Sequence, residues 1–454
     1  MSEPPRTRQP WWIPPFLGRV PSGVQQTHLS LLGGIALALF FEEYDLAMLT
    51  AALPRIAASF DVSDAALPYY LSVIRLGAIP AFAVIPLADR LGRRRVFLVT
   101  VVCTGLFTFL TAFSQTIEQF VAFQMLTRTF FITGSAVAFV MVAEEFPADH
   151  RGWGIGMLGA LGACGHGLAS LLYSQVDQLP YGWRSLYVVG VLPILLIPFF
   201  RRRVTETRRY HEHAAARTDR AEGFAAALAP LVELARAHPA RALGIAVAGF
   251  LPSIGLISAF QFSGQYTQKL LGWSPGQYAA MVVLGGALGI VGNVAAGRLG
   301  DRLGRRTVGL FLLGSFPIWV TLFYHSAGWV VTACFVAIVF VSSGGRVILR
   351  ALATELFPTS RRSSASGLFA ILDAVGSSVG LFVLGAALGG RDELLSFWVS
   401  ALALSVALGG LVLLFFPETK QRELESINED EQAVYSPAAV VAGADAEAPG
   451  PPGR

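Results

Sequence analysis

Lysine is almost absent from this 454-residue chain: Lys269 and Lys420 stand alone among 34 basic residues, so arginine carries the formal net charge of +4. Charged residues of both signs reach only 14%, against roughly 25% in a soluble domain, while apolar residues make up 54% and mean hydropathy is +0.57. A chain so poor in charge does not have water as its main solvent. The three cysteines, Cys103, Cys164 and Cys334, lie far apart in apolar stretches, which excludes a disulfide framework and a thiolate metal site. The arginines sit in short clusters between apolar runs rather than on one soluble face, so nucleic acid is excluded as a partner. His-Glu-x-x-His does not occur, and the Gly-x-Ser-x-Gly at 376–380 sits inside an apolar run rather than at the strand-to-helix turn of an activated serine elbow, so the chain reads as no enzyme, with no cofactor and no metal.

What is present is apolar runs. A spanning helix needs about 20 mostly apolar residues, and such runs occupy 29–53, 66–88, 95–115, 118–144, 153–175 and 184–201, then 242–266, 275–299, 306–325, 328–353, 365–388 and 394–416. The fold class is therefore all-α and polytopic: a tail over 1–27, a six-helix half over 28–201, a polar loop over 202–240, a second six-helix half over 241–418 and a tail over 419–454. Residues 1–27, rich in Pro and Arg, lack the apolar core of a secretory signal. The polar loop holds His211-Glu212-His213 without a further ligand nearby, the pattern of a hydrated link. The last tail, rich in Ala, Gly and Pro, is expected to be disordered. Arginines collect in alternate loops, at Arg90 with Arg93–Arg95, Arg151, the central loop, Arg302 with Arg305 and Arg306, and Arg361 with Arg362. The positive-inside rule then places both termini and the central loop in the cytoplasm of a cell (plasma or inner) membrane.

The halves repeat. Asp89-Arg90-Leu91-Gly92-Arg93-Arg94 returns as Asp301-Arg302-Leu303-Gly304-Arg305-Arg306, an offset of 212 (301 − 89). Glu144, Pro147 and Arg151 return as Glu355, Pro358 and Arg362 at 211 (355 − 144), and Glu206-Thr207 as Glu418-Thr419 at 212 (418 − 206). Matched motifs at one offset define two parallel six-span units, an arrangement whose solute site lies at the interface. Each aspartate ends a helix where the macrodipole disfavours an anion unless cations are near, and the adjoining arginines supply them. Together with Glu144, Arg151, Glu206, Glu355, Arg362 and Glu418 they are expected to form a gating network of exposed pairs worth about 0–1 kcal/mol each. Pairs that weak suit a switch, because moving a population from 1:99 to 99:1 takes about 5.5 kcal/mol in all.

At these residues the sequence resembles the major facilitator superfamily over nearly all of 28–427. The Asp-Arg-x-Gly-Arg-Arg turns are similar to its cytoplasmic signature, with Gly297 four residues before the second aspartate but Ile85 before the first. The pairs Glu144/Arg151 and Glu355/Arg362, with Pro417-Glu418-Thr419-Lys420, resemble sugar-porter and metabolite–proton symporter branches. Glu42-Glu43-Tyr44-Asp45 resembles the acidic-Gly-aromatic-Asp element of aromatic-acid symporters, with Glu43 in place of glycine. The resemblance implies a monomeric alternating-access transporter of protons and a small solute in a lipid bilayer. An organic acid is preferred, with a sugar or cyclitol symporter and a proton-driven drug exporter as alternatives.

Charges inside the spans point the same way, since each costs about 2.5–3.5 kcal/mol near the bilayer centre and needs a partner or a wet cavity. At 1.5 Å per residue, Asp45, Glu42, Arg75 and Arg128 fall about 10, 15, 13 and 16 Å from the outer helix ends, and Arg346 and Asp373 about 14 Å from the inner ends. Equal depth allows acid–arginine pairing in each half. Shielding from water favours a protonated carboxyl, and a nearby arginine favours the carboxylate. Asp45 or Glu42 is therefore the expected proton carrier, with Arg128 holding an anionic solute or tuning the acid. Arg75, Arg346 and Asp373 fit a pathway role and a structural ion pair equally well. His166 either relays a proton or packs through a hydrogen bond. Gln261 and Gln265, in an element resembling the Gln-x-Ser-Gly of sugar porters, are candidate solute contacts.

Overall fold

A computed structural model describes residues 9–13, 19–85, 87–207, 232–355 and 362–416. The His211–His213 stretch of the central loop, the tail after 416 and Glu418 lie outside the described residues. No strand occurs among the described residues. The long helices are α1 (Gln26–Ala51), α2 (Leu67–Val84), α3 (Arg93–Thr111), α4 (Ile117–Glu145), α5 (Arg151–Tyr173), α6 (Trp183–Leu195 continued by Ile197–Arg203), α7 (Pro239–Leu270), α8 (Pro275–Leu303), α9 (Arg305–His325), α10 (Trp329–Glu355), α11 (Arg362–Leu388) and α12 (Asp392–Leu414). In a bilayer each backbone N–H and C=O must be satisfied within the segment, so apolar runs of this length become helices. Most of them pass a length-and-apolarity test for crossing a membrane; α1, which carries Glu42, Glu43 and Asp45, and α8 do not, though they run for 26 and 29 residues. Large apolar side chains such as Leu171, Leu195, Phe311, Ile318 and Phe397 stay exposed on the bundle, as lipid-facing residues do.

Local signals set the helix ends. Ser274 accepts from the N–H of Gln277 at 3.3 Å, and the Gln277 side chain accepts from the N–H of Ser274 at 2.9 Å. That reciprocal cap starts α8 with Pro275 in the first turn. Thr116 caps α4 by accepting from the N–H of Gln119 at 3.3 Å. At the repeated motifs, Gly92 (φ 97°) precedes α3 and Gly304 (φ 104°) precedes α9. Side chains other than glycine avoid that backbone region, which explains why both copies of the turn carry glycine. α6 bends by 44° where Pro198 follows the break.

Packing reproduces the sequence repeat. α1 packs on α5 as α7 packs on α11, α2 on α4 as α8 on α10, α3 on α4 as α9 on α10, and α3 on α6 as α9 on α12. The halves meet through α2 against α11 and α5 against α8, which the same pseudo-twofold exchanges. One end of the bundle, here the motif end, carries Gly92 and Gly304; the far end carries the starts of α2 and α8. Apolar packing is asymmetric along that axis. One buried cluster runs from Met48, Leu53, Leu71 and Tyr173 of the first half straight into Phe262, Tyr278 and Phe316 of the second. The motif-end residues of the first half, including Leu32, Phe97, Met141 and Phe200, form a separate cluster.

Candidate functional site

The far end is sealed by polar contacts between the halves. Asp64, between α1 and α2, is 2% exposed and accepts from Gln265 Nε2 and, at 2.7 Å, from Lys269 Nζ. Gln268 donates to the carbonyl of Ala51 at 3.0 Å and accepts from the Tyr173 hydroxyl at 2.6 Å. Asp392 accepts from the N–H of Ala65 at 2.9 Å. Gln265, a candidate solute contact by sequence, is thus engaged in the seal. The residues Gln265–Leu270 form a π-helical stretch, a widening that often marks functional positions.

Below the seal lie the buried charges. α2 breaks at Gly77, where a β-carbon would come within 2.4 Å of the Met125 carbonyl and 3.2 Å of Arg128 Cβ. Only glycine permits that approach, which sets Arg75, two residues earlier, beside Arg128. Arg75 crosses between the halves and donates to Gln261 Oε1 at 3.2 Å; close by, the hydroxyls of Ser72 and Ser378 lie 3.0 Å apart. Arg128 rests over the Phe131 ring at 5.2 Å, and its Nε and Nη1 are buried with no hydrogen-bond partner among the described residues. It interacts electrostatically with Glu43, Asp373, Asp45 and Arg346.

The acids are placed in two ways. Asp45, 6% exposed, turns into the first half, accepting from Thr108 at 2.9 Å and Gln124 at 3.5 Å. Glu42, 3% exposed, accepts from Ser135 at 3.2 Å, and its Oε1 has no hydrogen-bond partner among the described residues. A small cavity is lined by Glu42, Thr104, Thr108 and Pro193. Glu43, by contrast, is half-buried and meets His166 Nδ1 at 3.2 Å. In the second half Asp373 accepts from the Ser253 hydroxyl, while Arg346 on α10 is exposed. Arg346 and Asp373 both act on Arg75 and Arg128, so they too front the space between the halves. Direct acid–arginine ion pairs, allowed by equal depth, are replaced by hydroxyl and amide partners for Asp45 and Asp373. Depth says nothing of direction, because each residue along a helix turns its side chain by about 100°.

At the motif end, Arg93 pairs with Glu144 and donates to Thr207 at 3.0 Å. The Glu206 carboxylate accepts the N–H groups of Arg93 at 3.0 Å and Arg94 at 3.2 Å, capping α3, and Arg94 also donates to the carbonyls of Val204 and Arg201. A carboxylate there complements the positive end of the helix dipole. Arg151 is half-buried with its Nε unpartnered; Arg90 and Arg302 are exposed, and Arg305 and Arg306 half-buried. The side chains of Asp89, Asp301, Glu355 and Arg362 lie outside the described residues. Sequence reading passed over Glu43 as a functional group, and also Asp64, Lys269, Ser253, Thr108 and Gln124. For the last five no local signal exists, since their importance comes from partners on other helices.

Comparison with known proteins agrees with this architecture. A family model described as Major Facilitator Superfamily matches residues 35–381 and 271–444. The "Probable 4-methylmuconolactone transporter" of Cupriavidus pinatubonensis is 26% identical over 88% of this chain and 92% of its own length. The cis,cis-muconate transport protein of Acinetobacter baylyi is 25% identical over 85% and 93%. Among solved structures, the inward open xylose transporter XylE from E. coli superposes with a TM-score of 0.69 at 17% identity, covering 88% of this chain and 99% of that one. The turns at Gly92 and Gly304, the duplicated packing and the matched model together make the chain a multi-pass membrane transporter, not an enzyme, that belongs to the major facilitator superfamily.

Proposed function

We propose that the protein is a proton-coupled symporter of a small organic acid, working as a monomer in the cell membrane with the motif end and both termini in the cytoplasm. The observation that carries this reading is Arg128: a guanidinium deep between the halves, held by Gly77 and Phe131, with two buried nitrogen atoms unpartnered. A buried polar group without a partner costs about 1–3 kcal/mol, more if charged, so the site favours a ligand that accepts hydrogen bonds and carries negative charge. A carboxylate does both and matches the planar fork of arginine. Arg75 and Arg346 add positive potential from both halves. A neutral sugar would leave that charge uncompensated. Two relatives are named for transport of 4-methylmuconolactone and cis,cis-muconate, and muconate is a dicarboxylate.

Asp45 is the proton carrier in this reading. It is closed off from the cleft, held by neutral donors, and still feels Arg128. An anion on Arg128 weakens the field that favours the Asp45 carboxylate, so solute and proton load together. With the motif end cytoplasmic, the Asp64–Lys269–Gln265 seal closes the outer side, and Arg93, Glu144 and Glu206 brace the inner end of the first half. Counterflow in proteoliposomes with labelled benzoate, cis,cis-muconate, xylose and a cationic drug tests the reading. Exchange of one or both acids, faster at acid pH, is expected; exchange of xylose or drug with neither acid overturns it.

A further inference from the structure

Glu43 and His166 make a contact that no part of the proposed transport cycle has used. Glu43 Oε2 lies 3.2 Å from His166 Nδ1, bridging α1 to α5, with side-chain exposures of 29% and 42%. Those values separate the pair from Glu42 and Asp45, which are shut into the first half at 3% and 6%. The backbone fixes the position: at Gly165 a β-carbon would sit 2.1 Å from the Phe40 carbonyl, and at Gly162 it would sit 3.8 Å from Glu43 Cγ. The two helices are in near backbone contact just where the pair forms.

Glu43 also lies within electrostatic reach of Arg128, as do Asp373 and Asp45. The surrounding charges are few. On α1, Glu42 and Asp45 turn toward Ser135, Thr108 and Gln124. On α4 there is Arg128; across the cleft are Asp373 on α11 and Arg346 on α10. α8, which packs on α5, has no Asp, Glu, Lys, Arg or His from Pro275 to Gly297, and α6 contributes the Tyr187 hydroxyl as its buried polar group.

We infer that Glu43 and His166 form a proton-binding pair that reports whether Arg128 is occupied, an inference that rests on the acid-transport reading above. In the empty site the Glu43 carboxylate answers Arg128. When a solute carboxylate takes the guanidinium, Glu43 is left with an anion before it. A proton taken from the aqueous cleft onto the imidazole makes His166 a cation, and the imidazolium holds Glu43 through Nδ1–H. This proton sets the affinity for the solute, while Asp45 carries the transported one. Histidine is suited to this because its ordinary titration falls between about pH 5 and 8. Linkage makes the effect reciprocal: the factor by which solute favours the proton is the factor by which the proton favours solute.

The test is the apparent KM for counterflow of benzoate and cis,cis-muconate between pH 6 and 8. The wild type is expected to bind roughly tenfold more tightly at pH 6, within the usual range of coupling. The two variants are expected to split. Glu43→Gln removes the competing anion and fixes KM near the acid value at every pH. His166→Asn leaves the anion without its cation and fixes KM near the alkaline value. Tight binding by Glu43→Gln at pH 8 also shows that the variant folds. If both variants keep the wild-type slope, or both move KM in the same direction, the pair has no such role. In that case acid exchange by the wild type still stands. If the wild type exchanges neither acid at any pH, the acid-transport reading fails and takes this inference with it.

Discussion

α1 with α5 and α7 with α11 are equivalent helix pairs, yet they carry their acids in opposite fashion. In the first half the carboxylate is on α1 and its partner, His166, is on α5; in the second the hydroxyl of Ser253 is on α7 and the carboxylate, Asp373, is on α11. The arginines diverge as well. Arg128 on α4 is half-buried, with two buried nitrogens unpartnered among the described residues, while Arg346 on the equivalent α10 is exposed. The repeat offset of 211 to 212 would map Arg128 to position 339 or 340, so Arg346 lies about two helical turns nearer the motif end. Helix packing and the glycine turns survived duplication because both halves need them to fold. Cleft residues carry no such constraint, and the first half became the one rich in groups that titrate.

If that division of labour holds, the largest effect belongs to Arg128. Truncating one partner of a buried charge pair costs about 2–5 kcal/mol, so Arg128→Gln should lower acid uptake by at least about 30-fold, and lysine should not restore the geometry of the fork. Arg346→Gln, at an exposed position, should cost less than about tenfold. Initial uptake rates at saturating and subsaturating acid measure both; equal losses would erase the difference between the halves.

The acids give the next contrast. Asp45→Asn should abolish pH-driven accumulation while leaving counterflow, because exchange needs no net proton movement. Asp373→Asn should retain accumulation and lose mainly stability, since its hydrogen bond from Ser253 falls in the class worth about 1.5–3 kcal/mol. Accumulation under an imposed pH gradient, read beside thermal unfolding in detergent, separates the two. The same accumulation by Asp45→Asn and the wild type would transfer the proton to another group.

Much of this architecture is legible before any coordinates. Run length sets the helices, and the spacing from Asp89 to Asp301 sets the halves, because both depend on residues near one another in sequence or on an exact copy. The cleft is legible only in part. Glu42, Asp45, Arg75 and Arg128 announce themselves as charges in apolar runs, but Asp45 points to Thr108 and Gln124 rather than to an arginine. Asp64 reads as an ordinary loop residue, and only the meeting of the halves makes it nearly fully buried. Direction and partnership come from tertiary packing, which one chain's pattern of polarity does not encode.

The duplicated turns sharpen the comparison from the other side, as the place where the halves should behave alike. Gly92 and Gly304 share positive φ values of 97° and 104°, a region where other residues are strained by about 1–3 kcal/mol. Gly92→Ala and Gly304→Ala should therefore lower the unfolding temperature by similar amounts. A loss at one turn only would mean that the two motifs no longer hold their helices in the same way.

The smallest effect is expected at the far-end seal. Lys269 is 52% exposed on its side chain and Asp64 is 3% exposed, so removing the lysine breaks an ion pair largely in contact with water, worth about 0–1 kcal/mol. Asp64 keeps its bond from Gln265 in Lys269→Gln, and the closed population should fall by less than about fivefold. Asp64→Asn weakens both contacts at once and should open the seal further. The readout is a cysteine placed at Ser72, which is buried against Ser378, in a background with Cys103, Cys164 and Cys334 replaced. Its labelling by a membrane-impermeant maleimide should rise slightly in Lys269→Gln and strongly in Asp64→Asn. The reverse order would mean that the lysine, and not the buried carboxylate, keeps the two halves together at this end.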